Sequence, residues 1–371
     1  MKIGIDARMF GPAVGGGGLG RYVEQLVNEL QAQDLENRYV LFLKRENFDA
    51  CVITNPNFEK RLADAHWYTA KEQVLMPFLI AREQLDLIHF PHWNVPLLCR
   101  TPFVVTIHDL ILLEQPISSK TTTRGPLVHW MKRLGYRIAL WRAIVASKRI
   151  VAVSQYTKSS IATFFPAIDS SKVEVIYEGI TALQPSQPLQ PSQPYLLYVG
   201  NAYPHKNLDS LLAAFAIFSK AHPDVELVLA GRDDLFYKRL RLSVDESARV
   251  RFVLNPTDAE LAELYRNARL YVFPSKSEGF GLPPLEAMSM GIPVASSNAT
   301  CLPEILGDAA LYFPPDDTEA MAAAMERVFS DETLRTELIS NGREQVTKYS
   351  WADMARHILN LYGNVAHRKT E

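Results

Sequence analysis

Cysteine is scarce in this chain: Cys51, Cys99 and Cys301 are the only three among 371 residues. An odd number without metal-ligand spacing argues against a disulfide framework or a cysteine-held metal, and leads us to expect a reduced, cytoplasmic protein. Long apolar runs are missing too. Nothing reaches the roughly 18 consecutive apolar residues that a membrane-spanning helix needs, and the opening MKIGIDA turns polar too soon for a secretory leader. The net charge is only −2, which argues against a general nucleic-acid binder. Acidic residues are also locally absent, since none falls between Gln115 and Ile168. That window carries Lys120, Arg124, Lys132, Arg133, Arg137, Arg142, Lys148 and Arg149, interleaved with Trp130, Trp141 and aliphatic residues. Such a basic amphipathic face, here over residues 120–149, suits an anionic membrane surface on the inner side of a bilayer; a solvated face packed over a sheet fits the same pattern.

What is present reads as an α/β protein of two domains. Apolar residues make up 47% and charged residues 22%, ordinary for a globular chain. Strands are predicted at 2–7, 39–43, 86–90, 103–107, 150–153 and 173–177, with helices near 22–32, 72–83, 126–147 and 155–165. Residues 182–194 read ALQPSQPLQPSQP, an uncharged, semi-rigid spacer that divides domain 1–181 from domain 195–349. After it the alternation restarts, with strands at 195–200, 225–230, 250–253, 270–273, 293–296 and 310–313. Helices are expected near 207–220, 234–243, 258–267, 283–290, 317–329 and 350–363. The alternation predicts parallel sheets covered on both faces, with ligands at the carboxyl ends of strands.

The densest chemistry lies in residues 274–295, PSKSEGFGLPPLEAMSMGIPVA. Pro283 and Pro284 suit the first turn of a helix, where a missing N–H costs nothing, and Gly291 with Pro293 ends it soon after. Glu286 is then expected in the opening turn and Glu278 on the loop before it, while Gly279 and Gly281 let the backbone approach a ligand. Two carboxylates flanking amide donors suit a ligand with hydroxyls at both ends and phosphate between, such as a sugar nucleotide. In VGNAYPHKNL (199–208), Asn201, His205, Lys206 and Asn207 follow a predicted strand end. Lys206 can neutralise a diphosphate as a point charge. A charged hydrogen bond contributes about 1.5–3 kcal/mol against at most about 1 from an exposed helix dipole, so Lys206 ranks above a glycine loop for that role. Asp233 and Asp234 are adjacent and lack the spacing to bridge a divalent cation, so no metal is implied.

Three stretches nearer the N-terminus also invite a functional reading. GPAVGGGGLGRY (11–22) is expected as a glycine-rich loop before a helix starting at Tyr22, either a phosphate cradle or a mobile active-site loop. Pro91-His92-Trp93-Asn94 and His108-Asp109 each follow a predicted strand, whereas His89 lies inside one and is expected in the core. Asp109 is the carboxylate expected to fix the tautomer of His108.

EGFGLPPLEAM, with its Glu-x7-Glu spacing, resembles the signature of the retaining family 4 glycosyltransferases. That resemblance implies the GT-B fold: two Rossmann-like doubly wound parallel-sheet domains facing across a cleft, with a last helix (about 350–367) packed back on the first domain. It implies a nucleotide-sugar donor as co-substrate, no other cofactor, and a glycan or lipid-linked acceptor. Glu286 would then hold ribose hydroxyls and Glu278 hexose hydroxyls, with the N–H groups of Phe280, Gly281 and Leu282 near hexose and diphosphate. Gly17, Gly18 and Gly20 would lie against the donor phosphates, and His108 would contact the hexose from the opposite domain. His92, Trp93 and Asp109 are weaker candidates for the acceptor. Many members of the family carry an arginine where this chain has Asn201, and Arg232 is the candidate to replace it. Mannose from GDP-mannose, moved in surface-polysaccharide or glycolipid assembly, is the substrate the resemblance favours. UDP- or another nucleotide-hexose, a sugar-nucleotide epimerase or hydrolase, and a non-enzymatic membrane-docked module are the rival readings.

Overall fold

Most of the predicted apolar segments become parallel strands because they are buried on both faces, as Leu87–Phe90, Phe103–Ile107 and Leu270–Phe273 are, which only a sheet covered by helices on both sides allows. The structure is a computed structural model that describes residues 1–115, 126–181, 194–245 and 248–367. The proposed spacer at 182–194 falls almost wholly outside the described residues. Two compact units result: Met1–Leu110 with Lys120–Gly179 and Ser350–Glu371, and Ile180–Tyr349 with Ile111–Ser119.

The first unit holds β1 (Lys2–Asp6), β2 (Arg38–Leu43), β3 (Phe58–Leu62), β4 (Leu87–Phe90), β5 (Phe103–Ile107), β6 (Arg149–Ala152) and β7 (Val173–Val175). They pair in the order β3-β2-β1-β4-β5-β6-β7. The second unit holds β8 (Tyr195–Val199), β9 (Glu226–Gly231), β10 (Val250–Leu254), β11 (Leu270–Phe273), β12 (Val294–Ser297) and β13 (Ala310–Phe313), in the order β10-β9-β8-β11-β12-β13. Every pairing described is parallel, as in Ile5↔His89 and Val272↔Ala295. Both sheets therefore reverse direction between their first and fourth strands, β1/β4 and β8/β11. Loops leaving the carboxyl ends of those neighbours diverge and open a crevice, the usual ligand position in such sheets.

Sequence patterning missed β3, whose FEKRL is charged because it is an edge strand half open to solvent. It also missed the fifteen-residue helix Glu332–Val346. The helix expected from Tyr22 begins at Gly17 and runs to Gln33, preceded by a turn of helix at Pro12–Gly15. Most of the expected glycine loop is thus helical. Gly11 (φ 87°) and Gly16 (φ 76°) take the left-handed breaks that separate the pieces. A Cβ on Gly20 would lie 2.3 Å from the Gly11 carbonyl oxygen, so this glycine permits backbone contact rather than mobility.

The closing helix Trp351–His367 packs on Gly17–Gln33 within the first unit. Its Tyr362 hydroxyl lies 2.6 Å from His89 Nδ1, and His89 Nε2 lies 2.8 Å from Thr106 Oγ1. Burial pushes the His89 pKa down to about 3, so the ring is a neutral core crosslink, as its place inside β4 implied.

Candidate functional site

In the second unit the switch point collects most of the sequence candidates. Lys206 closes a single turn, Pro204–Lys206, just past β8, and Glu278 lies on the loop past β11. Their charged atoms are 2.5 Å apart, with side chains 13% and 10% exposed. The two loops are tied by backbone, since Lys276 N–H donates to the His205 carbonyl at 2.7 Å. Asn207, in the left-handed region at φ 62°, donates through Nδ2 to the carbonyls of Pro274 and Pro315. Beneath the Glu278 loop, Thr300 Oγ1 accepts from Glu278 N–H at 3.0 Å, and Cys301 Sγ donates to the carbonyls of Glu278 and Phe280. Thr300 is a β-branched residue at φ 53°, a strained conformation of the kind found where a site needs it.

The strand end before Lys206 is held as firmly. Tyr198, Tyr237 and Tyr271 donate their hydroxyls to carbonyls of Asn201, Gly200 and Val199, respectively. Asn201 makes a local bond, its Oδ1 accepting from Tyr203 N–H at 3.2 Å. Arg232 is exposed. Since Val199 pairs with Ala230, Asn201 and Arg232 leave neighbouring strands at the same level. His205 has a buried Nδ1 without a hydrogen-bond partner, and burial, then Lys206, lowers its pKa to about 4. It stays neutral beside the lysine.

The helix after the glutamate loop runs Leu282–Ser289, with Gly281 at φ 100° as its cap. Glu286 is therefore its fifth residue and not in the opening turn as expected, because the helix starts at Leu282, one residue before Pro283, with Gly281 as cap. Pro283 and Pro284 remove two of the N–H groups that a helix start normally leaves free. Gly281 and Leu282 are left as its amide donors. Glu286, 9% exposed, accepts from Tyr265 Oη at 3.1 Å. The structure thus brings Lys206, Glu278, Phe280, Gly281, Leu282 and Glu286 into one arrangement, with Asn201 at the adjacent strand end. No group of three or more His, Cys, Asp or Glu among the described residues forms a metal-ligand cluster.

In the first unit, His108 Nδ1 meets Glu178 Oε1 at 2.8 Å and Nε2 meets the Pro91 carbonyl at 2.9 Å. The carboxylate that orients His108 is Glu178, not the expected Asp109, whose charge acts on the ring only as a lesser influence. An adjacent residue on an extended chain points away, whereas Glu178 returns from beyond β7. Both partners of the ring accept, so the doubly protonated ring satisfies both. Burial alone would lower its pKa; the Glu178 carboxylate above all, then Pro91 and Asp109, raise it by more. A raised histidine pKa stabilises the fold in full below the ordinary value of about 6.5, and the contribution fades as pH rises through the folded value. Glu178→Gln should drop the His108 pKa below the ordinary value, leaving burial in control. Titration of the His108 ring proton by NMR checks this, and an unchanged pKa contradicts it.

Gly17 and Gly18 head their helix and are exposed, while Gly20 is buried against Gly11. His92 and Trp93 follow β4 with ring centroids 4.7 Å apart. Sequence reasoning missed Glu178, Thr300 and Tyr265, and also Arg8, which is 2% exposed between Asp6 and Glu72 with both contacts at 2.6 Å. The one available signal was position, since Arg8 and Glu178 each follow a strand end.

Two sheets of the same reversed order, with polar loops converging at the switch point of the second, define a two-domain glycosyltransferase fold. The second half matches the glycosyl transferases group 1 model over residues 180–345, and the first half matches glycosyltransferase family 4 over 16–182. The chain belongs to that family and is a glycosyltransferase. It is 31% identical over 299 residues to the O-antigen chain mannosyltransferase B of Escherichia coli, covering 76% of this chain and 75% of that one. Among solved structures, sucrose-phosphate synthase from Thermosynechococcus elongatus superposes with a TM-score of 0.80 at 23% identity, over 99% of this chain and 100% of that one. Anabaena HepE in complex with UDP and glucose superposes at 0.72 with 18% identity, over 98% and 100%.

Proposed function

We propose that the chain is a retaining, metal-independent mannosyltransferase that moves mannose from GDP-mannose to a hydroxyl of a glycan or lipid-linked acceptor in surface-polysaccharide or glycolipid assembly. The observation that carries this reading is the Lys206–Glu278 pair, held almost dry at the switch point with Glu286 on the helix that follows. The donor would open the pair. Lys206 turns to the diphosphate, with Arg232 on the neighbouring strand end as a second cation, and Glu278 takes hexose hydroxyls. Glu286 takes the ribose hydroxyls, and Gly281 and Leu282 supply amide donors.

Transfer breaks the bond from C1 to the phosphate oxygen and forms the new C1–O bond on the same face. The acceptor hydroxyl's proton passes to the departing phosphate oxygen, so no protein nucleophile is needed. Lys206 stabilises the charge that grows on the leaving group, an electrostatic role that usually supplies the largest catalytic term. Mannose is supported by the relative's own activity. A screen of GDP-, UDP-, ADP- and dTDP-sugars by thermal shift tests the donor, since a ligand at 100 times its Kd adds about 2.7 kcal/mol. The GDP-sugar should give the largest shift and an α-linked product by NMR; a larger shift with UDP-sugars or a β-linked product contradicts the assignment.

Membrane attachment forms part of this reading. Among the described residues no helix is long and apolar enough to cross a bilayer. On the helix Pro126–Ala146, Leu134, Ile138, Trp141 and Val145 are each 40–56% exposed and share one face. Arg137 and Lys148 are exposed nearby; residues 120–125, and the side chains of 126–133, lie outside the described set. An apolar stripe among bases supports docking on an anionic bilayer, each base adding about 1 kcal/mol. Co-sedimentation with phosphatidylglycerol vesicles should weaken as salt rises, and absent or salt-independent binding contradicts it.

A further inference from the structure

The loop that carries Glu278 is tied down along its length. Asn207 Nδ2 donates to the Pro274 carbonyl, Ser297 Oγ to that of Ser275, and Lys276 N–H to that of His205. Glu278 N–H continues the series on Thr300 Oγ1. Asn207, Ser297, His205 and Thr300 all lie on, or just past, strands of the second sheet. One further tie has a different origin. Ser277, 1% exposed and immediately before Glu278, donates through Oγ to Glu114 Oε2 at 3.0 Å. Glu114 follows β5 of the first sheet in the chain, yet the segment Ile111–Ser119 belongs to the second unit.

The carboxylate is fixed by its own surroundings. Ile111–Glu114 is a single helical turn, closed by Gln115 N–H on the Ile111 carbonyl at 2.7 Å, and Ile111 is 8% exposed. A turn anchored by a buried side chain presents its acceptor in one place. The bond to Ser277 gains weight once a donor arrives. In the donor reading Lys206 leaves Glu278 for the diphosphate, so Glu278 gives up its 2.5 Å partner. The aim of its carboxylate then rests on the backbone at 277–278, which Thr300 and the Ser277–Glu114 bond hold. Aim matters here, because a misplacement of about 1 Å can cost 10²-fold in rate.

We propose that Glu114 is a positioning residue for the donor hexose: through Ser277 it directs Glu278 at the sugar hydroxyls without touching the substrate itself. This role rests on the transferase reading above. Calorimetric binding of GDP and of GDP-mannose to the wild type, Ser277→Ala, Glu114→Ala, the double variant and Glu114→Gln tests it. Ser277→Ala and Glu114→Ala should each weaken GDP-mannose about tenfold, the weight of one hydrogen bond to a carboxylate. Both should leave GDP binding unchanged, since Lys206 and Glu286 hold the nucleotide, and that binding also reports that each variant is folded. The double variant should be no weaker than either single one, because all three lack the same bond. Glu114→Gln, whose amide oxygen still accepts, should stay near the wild type. Equal losses for GDP and GDP-mannose mark a merely structural contact and overturn the proposal, as do unchanged GDP-mannose binding or additive losses in the double variant. If GDP-mannose does not bind the wild type at all, the donor reading fails and this role falls with it.

Discussion

Lys206→Ala is expected to lower kcat/KM by about 10²–10³, the loss typical when one preorganised donor to a developing negative charge is removed. Most of it should fall on kcat, because the charge on the diphosphate grows as the C1–O bond breaks and the interaction tightens only then. The resting structure adds a second consequence. Lys206 is the cation paired with Glu278, and both side chains are nearly dry. Removing one partner of a buried pair leaves the other uncompensated, at a cost of up to about 3–5 kcal/mol when burial is complete. Lys206→Ala should therefore also melt earlier. Lys206→Met with Glu278→Gln separates the effects: the double variant recovers melting temperature and remains inactive. Retained activity in Lys206→Ala would remove the proposed chemistry, whatever happens to stability.

Arg8→Met should give the largest stability loss in the first unit. Arg8 stands between Asp6 and Glu72, donates to the Ala65 carbonyl at 3.1 Å, and is itself 2% exposed. Asp6 and Glu72 together hold the buried Arg8 guanidinium charged, but the Arg8–Glu72 pair does not offset the burial of Glu72. Burial raises the Glu72 pKa by more than the Arg8 charge lowers it, so ionised Glu72 is no better off in the fold than in water. What the substitution costs is the desolvation of two carboxylates left without a cation, about 3–5 kcal/mol. For a unit of this size that is a fall in melting temperature of about 6–20 °C. The sign of the pH dependence follows. Glu72 without its cation has a folded pKa raised further, so it costs most when ionised and the loss shrinks as pH falls through that value. Thermal melts at neutral and acidic pH check both points; a loss below about 1 kcal/mol at neutral pH contradicts this view of the cluster.

Much of this was legible in the sequence, and the boundary has a physical cause. Strands such as YLLYV and LYVF are buried on both faces, so composition alone marks them. FEKRL, at a sheet edge, carries no such mark. The helix at Leu282–Ser289 could be read because prolines and glycines fix backbone angles locally. The same local logic failed at the glycine run. There the residues serve a close approach of backbone to backbone, which only the tertiary structure reveals. Lys206, Glu278 and Glu286 were visible one at a time, but the pairing of Lys206 with Glu278 spans 72 positions. Glu178 on His108 spans 70. Partners of that separation are set by strand order, and no periodicity in a single sequence reports them.

The most direct test of the central claim is a crystal structure with a non-transferable GDP-mannose analogue bound. We expect Lys206 Nζ to have left Glu278 for a diphosphate oxygen, with Glu278 on hexose hydroxyls and Glu286 on the ribose. An intact Lys206–Glu278 pair, with the analogue bound away from the loops that follow β8 and β11, would contradict it.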